Sequence, residues 1–150
     1  MNTELLNTLT LQVAISAAQR EQVKTMLVAS KLPVADIDDD KILYFLQDGN
    51  DMVGTAGLEI FGDCGLLRSF SVVKDAQGKG YGSFISNEIE KYAAESGIGC
   101  LYLLTTTAKD FFDKQGYCVI ERSEAPEGVK QSQEFTSLCP SSAVVMKKKI

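Results

Sequence analysis

The sequence predicts a mixed α/β domain whose sheet opens with antiparallel strands and continues into a parallel β-α-β core, with about four helices. Three observations lead to that class. Two turn signatures, Asp48-Gly49-Asn50-Asp51 and Gly62-Asp63-Cys64-Gly65, link three consecutive strand-like runs, and links this short join antiparallel neighbours. A glycine-bearing loop and an amphipathic helix then lead into a further apolar run at Cys100 to Thr105, in the order of a parallel crossover. Finally, 150 residues at 45% hydrophobic content supply one core, so residues 1–150 read as a single domain.

Taken in order, Leu9 to Ile15 is strand-like. Ala17 to Lys31 carries Val23, Met26, Leu27 and Val28 at helical spacing behind Ser16, a good N-cap residue. Pro33 ends that helix, and the acidic run Asp36 to Asp40 is a solvated loop. Ile42 to Gln47, Met52 to Phe61 and Leu66 to Val73 form the antiparallel half. Lys74 to Gly82 is the loop. Ser83 to Glu95 is a helix with Phe84, Ile85, Ile89 and Tyr92 inward, stopped by Ser96-Gly97-Ile98-Gly99. After the strand Cys100 to Thr105, a short helix spans Ala108 to Gln115 with Gly116 capping its end. Tyr117 to Arg122 is a strand, Ser123 to Ser142 a long polar segment without periodicity, and Ala143 to Lys148 the strand that closes the sheet.

Composition removes several function classes. Net charge is −5, and the one dense basic cluster is Lys147-Lys148-Lys149, so no basic stripe is available for nucleic-acid phosphates. No apolar run is long enough to cross a bilayer, and the first ten residues lack the basic and apolar regions of a secretory signal, which points to the cytoplasm. The chain contains no histidine, which excludes Ser-His-Asp and Cys-His triads and histidine-based metal sites. Cys64, Cys100, Cys118 and Cys139 are widely spaced without a C-x-x-C pair, so no metal site is expected. Cys100 and Cys118 lie in apolar runs and read as buried thiols, whereas Cys64 and Cys139 flank loops.

The chemistry concentrates in Gln77-Gly78-Lys79-Gly80-Tyr81-Gly82, which opens the helix at Ser83. Glycines allow close backbone approach and positive φ, and a helix start presents amides and the positive end of the helix dipole to an anion. Such a loop suits a phosphate or pyrophosphate, with Lys79 adding charge at the rim. A Walker loop needs G-x-x-x-x-G-K-[ST], which is missing, and a dinucleotide fingerprint would not follow three antiparallel strands.

The pattern Gln77-x-x-Gly80-x-Gly82 resembles the Q/R-x-x-G-x-G/A signature of the GCN5-related N-acetyltransferases (GNAT). The likeness continues on both sides. Phe70-Ser71-Val72 is similar to the end of that family's fourth strand, and Ala108 to Tyr117 to its A-x-x-[LF]-Y-x-x-x-G-[FY] helix. The resemblance implies a GNAT-like sheet and acetyl-CoA as co-substrate. The pyrophosphate would lie on Gln77, Gly78, Lys79, Gly80, Tyr81, Gly82 and Ser83, and the pantetheine arm along Phe70, Ser71 and Val72. It further implies direct acetyl transfer to the amine of a small molecule, with the chain a monomer or homodimer. Within the family, Leu66-Leu67-Arg68-Ser69, Leu101 to Ala108 and Glu134 to Pro140 resemble the arsenic-resistance acetyltransferases, which suggests an amino acid analogue or arsenic-linked metabolite as acceptor.

Two positions depart from the family pattern. Phe112 stands where a tyrosine usually protonates the departing thiolate, and Thr105 where many relatives contact the cofactor through asparagine. A thiol with pKa near ~8.5 leaves as thiolate unaided, so transfer survives the first change. Tyr81, Tyr102 and Tyr117 are the alternative acids. An ammonium with pKa near ~10.4 must lose a proton before it attacks, and Glu59, late in its strand, is the candidate base. Arg68, a lone cation in an apolar strand, either clamps a substrate carboxylate or oxyanion or pairs with Glu59. Other readings are a CoA-binding module without transferase activity and a thiol-based arsenic-binding protein using Cys64 or Cys139.

Overall fold

A computed structural model describes residues 9–32, 34–35, 37, 41–73, 80–132, 135 and 143–150. The elements are β1 (Leu9–Val13), α1 (Ala17–Ala29), β2 (Ile42–Asp48), β3 (Asp51–Phe61), β4 (Cys64–Val72), α2 (Tyr81–Glu95), β5 (Cys100–Thr105), α3 (Lys109–Lys114), β6 (Cys118–Ile120), α4 (Glu127–Lys130) and β7 (Val144–Lys149). The seven strands pair in the order β1-β2-β3-β4-β5-β7-β6. β1 runs antiparallel to β2, β4 parallel to β5, and β7 antiparallel to both β5 and β6. The expected mixed α/β sheet and its four α-helices are therefore present among the described residues.

Two compact units divide the chain, one drawn from the chain up to Gly57 and Ser69–Ile89, the other from Leu58–Arg68 and Glu90–Ile150. In the first, Ser16 caps α1 and its partner Gln19 completes a capping box, which satisfies donors that a helix start leaves over. Val23 and Leu27 are buried against Ala14, Ile37, Leu43 and Phe45. Val28, expected inward, is 61% exposed, because the helix buries only the stripe shared by Val23 and Leu27. α1 ends at Ala29, two residues before the expected Lys31. Lys31 takes φ +60, and the bonds Lys31 N–H to Val28 O and Leu32 N–H to Leu27 O close a Schellman cap. Pro33 and residues 38–40 lie outside the described residues. A lysine in the left-handed region is strained, so Lys31→Gly is expected to raise stability by about 1 kcal/mol, read from urea unfolding.

The β2–β3 hairpin turns on Gly49–Asn50, with Gly49 at φ +62, the first turn position that a II′ hairpin reserves for glycine. Gly54 in β3 is fixed by space instead. A Cβ placed there would lie 2.6 Å from Ile85 Cδ1 and 3.1 Å from Ser71 O. Ile85 is fully buried, so neither neighbour has room to retreat. Gly54→Ala is expected to cost about 1–3 kcal/mol, seen as a lower urea midpoint with an unchanged m-value.

In the second unit, Gly99 N–H donates to Asp63 O at 2.8 Å and brings the starts of β4 and β5 side by side. Their parallel register runs Cys64↔Cys100, Gly65↔Leu101 and Leu66↔Tyr102. Leu66, Tyr102, Leu104, Ala125, Val129, Ala143 and Val145 form the core here. The last strand does not close the sheet at its edge, as the sequence suggested; β7 inserts between β5 and β6 and leaves β6 outside. Part of the segment read as irregular, Ser123 to Ser142, folds as α4, which seats Val129 in the core. Residues 133–134 and 136–142 lie outside the described residues. Gly116 has φ +97 and closes α3 through Tyr117 N–H to Phe112 O, as its place in the sequence implies.

Candidate active site

In the first unit, the second half of β4 is shaped by Ser69, which sits inside a strand at φ +55. A non-glycine residue rarely adopts that conformation, and inside a strand it interrupts the pleat and re-aims the residues after it. Thr55 holds it: the Thr55 hydroxyl donates to Ser69 O at 2.8 Å, and both residues are buried. Past this point come Phe70, Ser71 and Val72, the residues expected along the pantetheine arm. Phe70 and Val72 are half-buried, and Ser71 Oγ is 2.7 Å from Ser30 Oγ at the end of α1. Neither Thr55 nor the strained Ser69 was found from the sequence, because a serine inside a strand carries no mark of its φ.

Gln77, Gly78 and Lys79 lie outside the described residues. Gly80 is exposed at φ +82, a conformation that glycine adopts without steric cost. Its carbonyl accepts from Phe84 N–H, so α2 starts at Tyr81, two residues earlier than the expected Ser83. Tyr81 and Gly82 thus belong to the first helical turn, whose amides the helix itself does not bond. The Tyr81 side chain points inward, and its hydroxyl donates to the Asp48 carboxylate at the end of β2.

That hydrogen bond, followed by burial and the nearby negative charge, pushes the Tyr81 phenol above its ordinary range. Tyr102 is raised mainly by burial, and Tyr117 by burial and then by Glu90. A phenol whose folded pKa exceeds the unfolded value of about 10 contributes stability below that pH and loses it as pH climbs through the folded value. Urea unfolding at pH 8 and pH 11 is expected to show a marked loss at the higher pH.

In the second unit, Arg68 Nη1 donates to Glu59 Oε1 at 2.8 Å. The Arg68 side chain is 0% exposed and that of Glu59 10%, so of the two Glu59 has the contact with the exterior. Of the two roles open to Arg68, the observed one is that of partner to Glu59. A buried guanidinium needs such a partner, and the carboxylate in turn is held in one orientation. Thr105 closes β5 and accepts through Oγ1 from Ala108 N–H at 2.9 Å, which sets the turn into α3. Its hydroxyl serves the backbone where relatives of the family carry an amide.

Phe112 is 5% exposed and packs edge-on against Phe111 and Tyr117, with ring centroids 5.0 and 5.5 Å away. Tyr117 Oη is buried without a hydrogen-bond partner among the described residues. A phenol whose pKa is raised this way is a poor donor to a thiolate, and Tyr102 and Tyr81 are raised as well. The arrangement fits a thiolate that departs unaided.

The acetyltransferase (GNAT) family matches residues 10–117. An amino-acid acetyltransferase of Neisseria meningitidis is 34% identical over 83 residues, which is 54% of this chain and 19% of that protein. The chain thus spans about a fifth of that curated relative's length. An N-acetyltransferase of Bacillus subtilis, YjcF, is 27% identical over 103 residues, covering 68% of this chain and 74% of that one. Among solved structures, N-acetylglutamate synthase from Neisseria gonorrhoeae, complexed with coenzyme A and L-arginine, superposes with a TM-score of 0.79. That match covers 95% of this chain and 33% of that one at 18% identity, a likeness of fold. The chain belongs to the acetyltransferase (GNAT) family.

Proposed function

We propose that the chain, acting as one acetyltransferase domain in the cytoplasm, moves the acetyl group of acetyl-CoA to the amine of a small amino acid or amino acid analogue. The observation that carries the mechanism is the Glu59–Arg68 pair: a carboxylate held at 2.8 Å by a fully buried guanidinium, with its own side chain still partly exposed. Arg68 bonds Oε1, and Oε2 is the oxygen that takes the proton of the incoming ammonium, directly or through water. Arg68 is then a positioning residue and Glu59 the catalytic one.

The start of α2, with Gln77 to Lys79 before it, receives the pyrophosphate, and the β4 backbone from Phe70 to Val72 lies along the pantetheine arm. Bound there, acetyl-CoA supplies the thioester carbonyl that the free amine attacks. CoA leaves as a thiolate, and Phe112 gives it no proton. The acceptor class is supported by the likeness to the Neisseria meningitidis amino-acid acetyltransferase. The local likeness to arsenic-resistance acetyltransferases adds arsenical amino acids to the acceptors worth offering.

Thiol release from acetyl-CoA against a panel of free amino acids, their carboxamides, arsenical amino acids and peptides tests this reading. Turnover on one or more free amino acids or analogues is expected, with carboxamides and peptides poorer. Acetylation confined to peptide N-termini would overturn it.

A further inference from the structure

The geometry points to a second site, a two-sulfur clip formed by Cys64 and Cys100 that takes a soft metal ion of low coordination number, with Cu(I) the representative chemistry. The two cysteines, thirty-six positions apart in sequence, become register partners at the start of the parallel β4–β5 pair. The Gly99 N–H to Asp63 O bond fixes that register one residue upstream of both. Both side chains pack against the same cluster of Leu66, Tyr102 and their neighbours, so they share a face of the sheet. Both are free thiols and both are half-buried, reachable from outside but not freely mobile. The wide spacing of the cysteines in the sequence is thus bridged by the strand pairing. Cys118, expected to be buried, is exposed on β6 and is no part of the pair.

Neighbouring strands stand about 4.8 Å apart, so register partners on one face keep their sulfurs within reach of one ion. Two metal–thiolate bonds of about 2.3 Å set end to end span about 4.6 Å, which bridges register partners without moving the backbone. No group of three or more His, Cys, Asp or Glu placed to hold a metal occurs among the described residues, which favours an ion content with two ligands. Paired thiolates select soft ions.

The surroundings supply the charge balance. Binding follows Cu⁺ + 2 RSH → [Cu(SR)₂]⁻ + 2 H⁺, with no change of oxidation state, and leaves one net negative charge. Lys147, whose Nζ lies 5.8 Å from the Tyr102 ring centroid, is the cation of this cluster. The Asp63 carboxylate accepts from Cys64 Sγ at 3.5 Å, and the two protons released pass to solvent.

The test uses the full reduced chain and Cu(I) offered as its bicinchoninate complex under ascorbate. One copper withdrawn per chain is expected, with two thiols lost to a thiol reagent. Cys64→Ser and Cys100→Ser should each abolish withdrawal while Cys118→Ser and Cys139→Ser retain it. Acetyl transfer by each variant reports that it has folded. X-ray absorption of the loaded wild-type chain should find two sulfur neighbours, a readout that needs no variant. No withdrawal by the wild-type chain, retention by either Cys64→Ser or Cys100→Ser, loss in Cys139→Ser, or a coordination shell without two sulfurs would each overturn the proposal.

Discussion

An Arg68→Met chain is expected to lose about 3–5 kcal/mol of stability, since removing one partner of a buried pair strands the other charge in a medium that cannot solvate it. Arg68 is fully buried and Glu59 nearly so, and the 2.8 Å bond between them is the compensation each charge requires. Pairing the change with Glu59→Leu should return part of the loss, because a buried pair replaced by apolar side chains is often close to neutral. A urea double-mutant cycle measures the coupling directly. A single-variant loss near zero would mean that the pair does not order this part of β3 and β4.

Glu59→Gln keeps the shape of the carboxylate and an oxygen for Arg68 but removes the charge that Arg68 is paired with, so it is expected to cost stability, though less than Arg68→Met, and its kinetics are read where urea unfolding shows the chain folded. Its effect falls on turnover: kcat should drop roughly 10²-fold, the scale of a positioned general base, with the KM for acetyl-CoA little changed. The pH profile distinguishes this from a merely structural change. Without a base, the reaction depends on amine already deprotonated in solution, so the variant's rate should rise by about tenfold per pH unit up to the acceptor amine's own pKa. A wild-type profile that keeps the same slope would remove Glu59 from the mechanism.

Much of the scaffold was legible because its signals are local. Ser16, Gly49, Gly97 and Gly116 each announce a cap or a turn through a backbone need that acts over four or five residues. The strand Cys100 to Thr105 was found to the residue, being a short apolar run bounded by glycine before and polar threonines after. What the sequence could not show are facts of pairing. The insertion of β7 between β5 and β6 is a long-range choice that no local pattern encodes. The Cys64–Cys100 register depends likewise on one backbone bond between Gly99 and Asp63.

The site divides along the same line. Of the loop read at Gln77 to Gly82, Gln77 to Lys79 lie outside the described residues, and Gly80 carries the positive φ that a glycine there allows. The left-handed Ser69 and its clasp by Thr55 were not legible in the sequence, because only tertiary context forces a serine into that conformation. Tyr81 looked like a loop residue, yet it opens α2, and its hydroxyl donates to Asp48. Arg68 was recognisable as a lone cation in an apolar strand, and the two roles left open for it could be told apart only once Glu59 was seen 2.8 Å away.

The most direct measurement is acetyl transfer monitored at both ends at once, with free CoA thiol counted while mass spectrometry counts the acetylated amine. The account predicts that thiol appears only when acetyl-CoA and a small amine are both present, in a one-to-one ratio with acetylated product. Tight CoA binding with no thiol release on any amine would contradict it, and would make the helix start at Gly80 to Ser83 a binding platform alone.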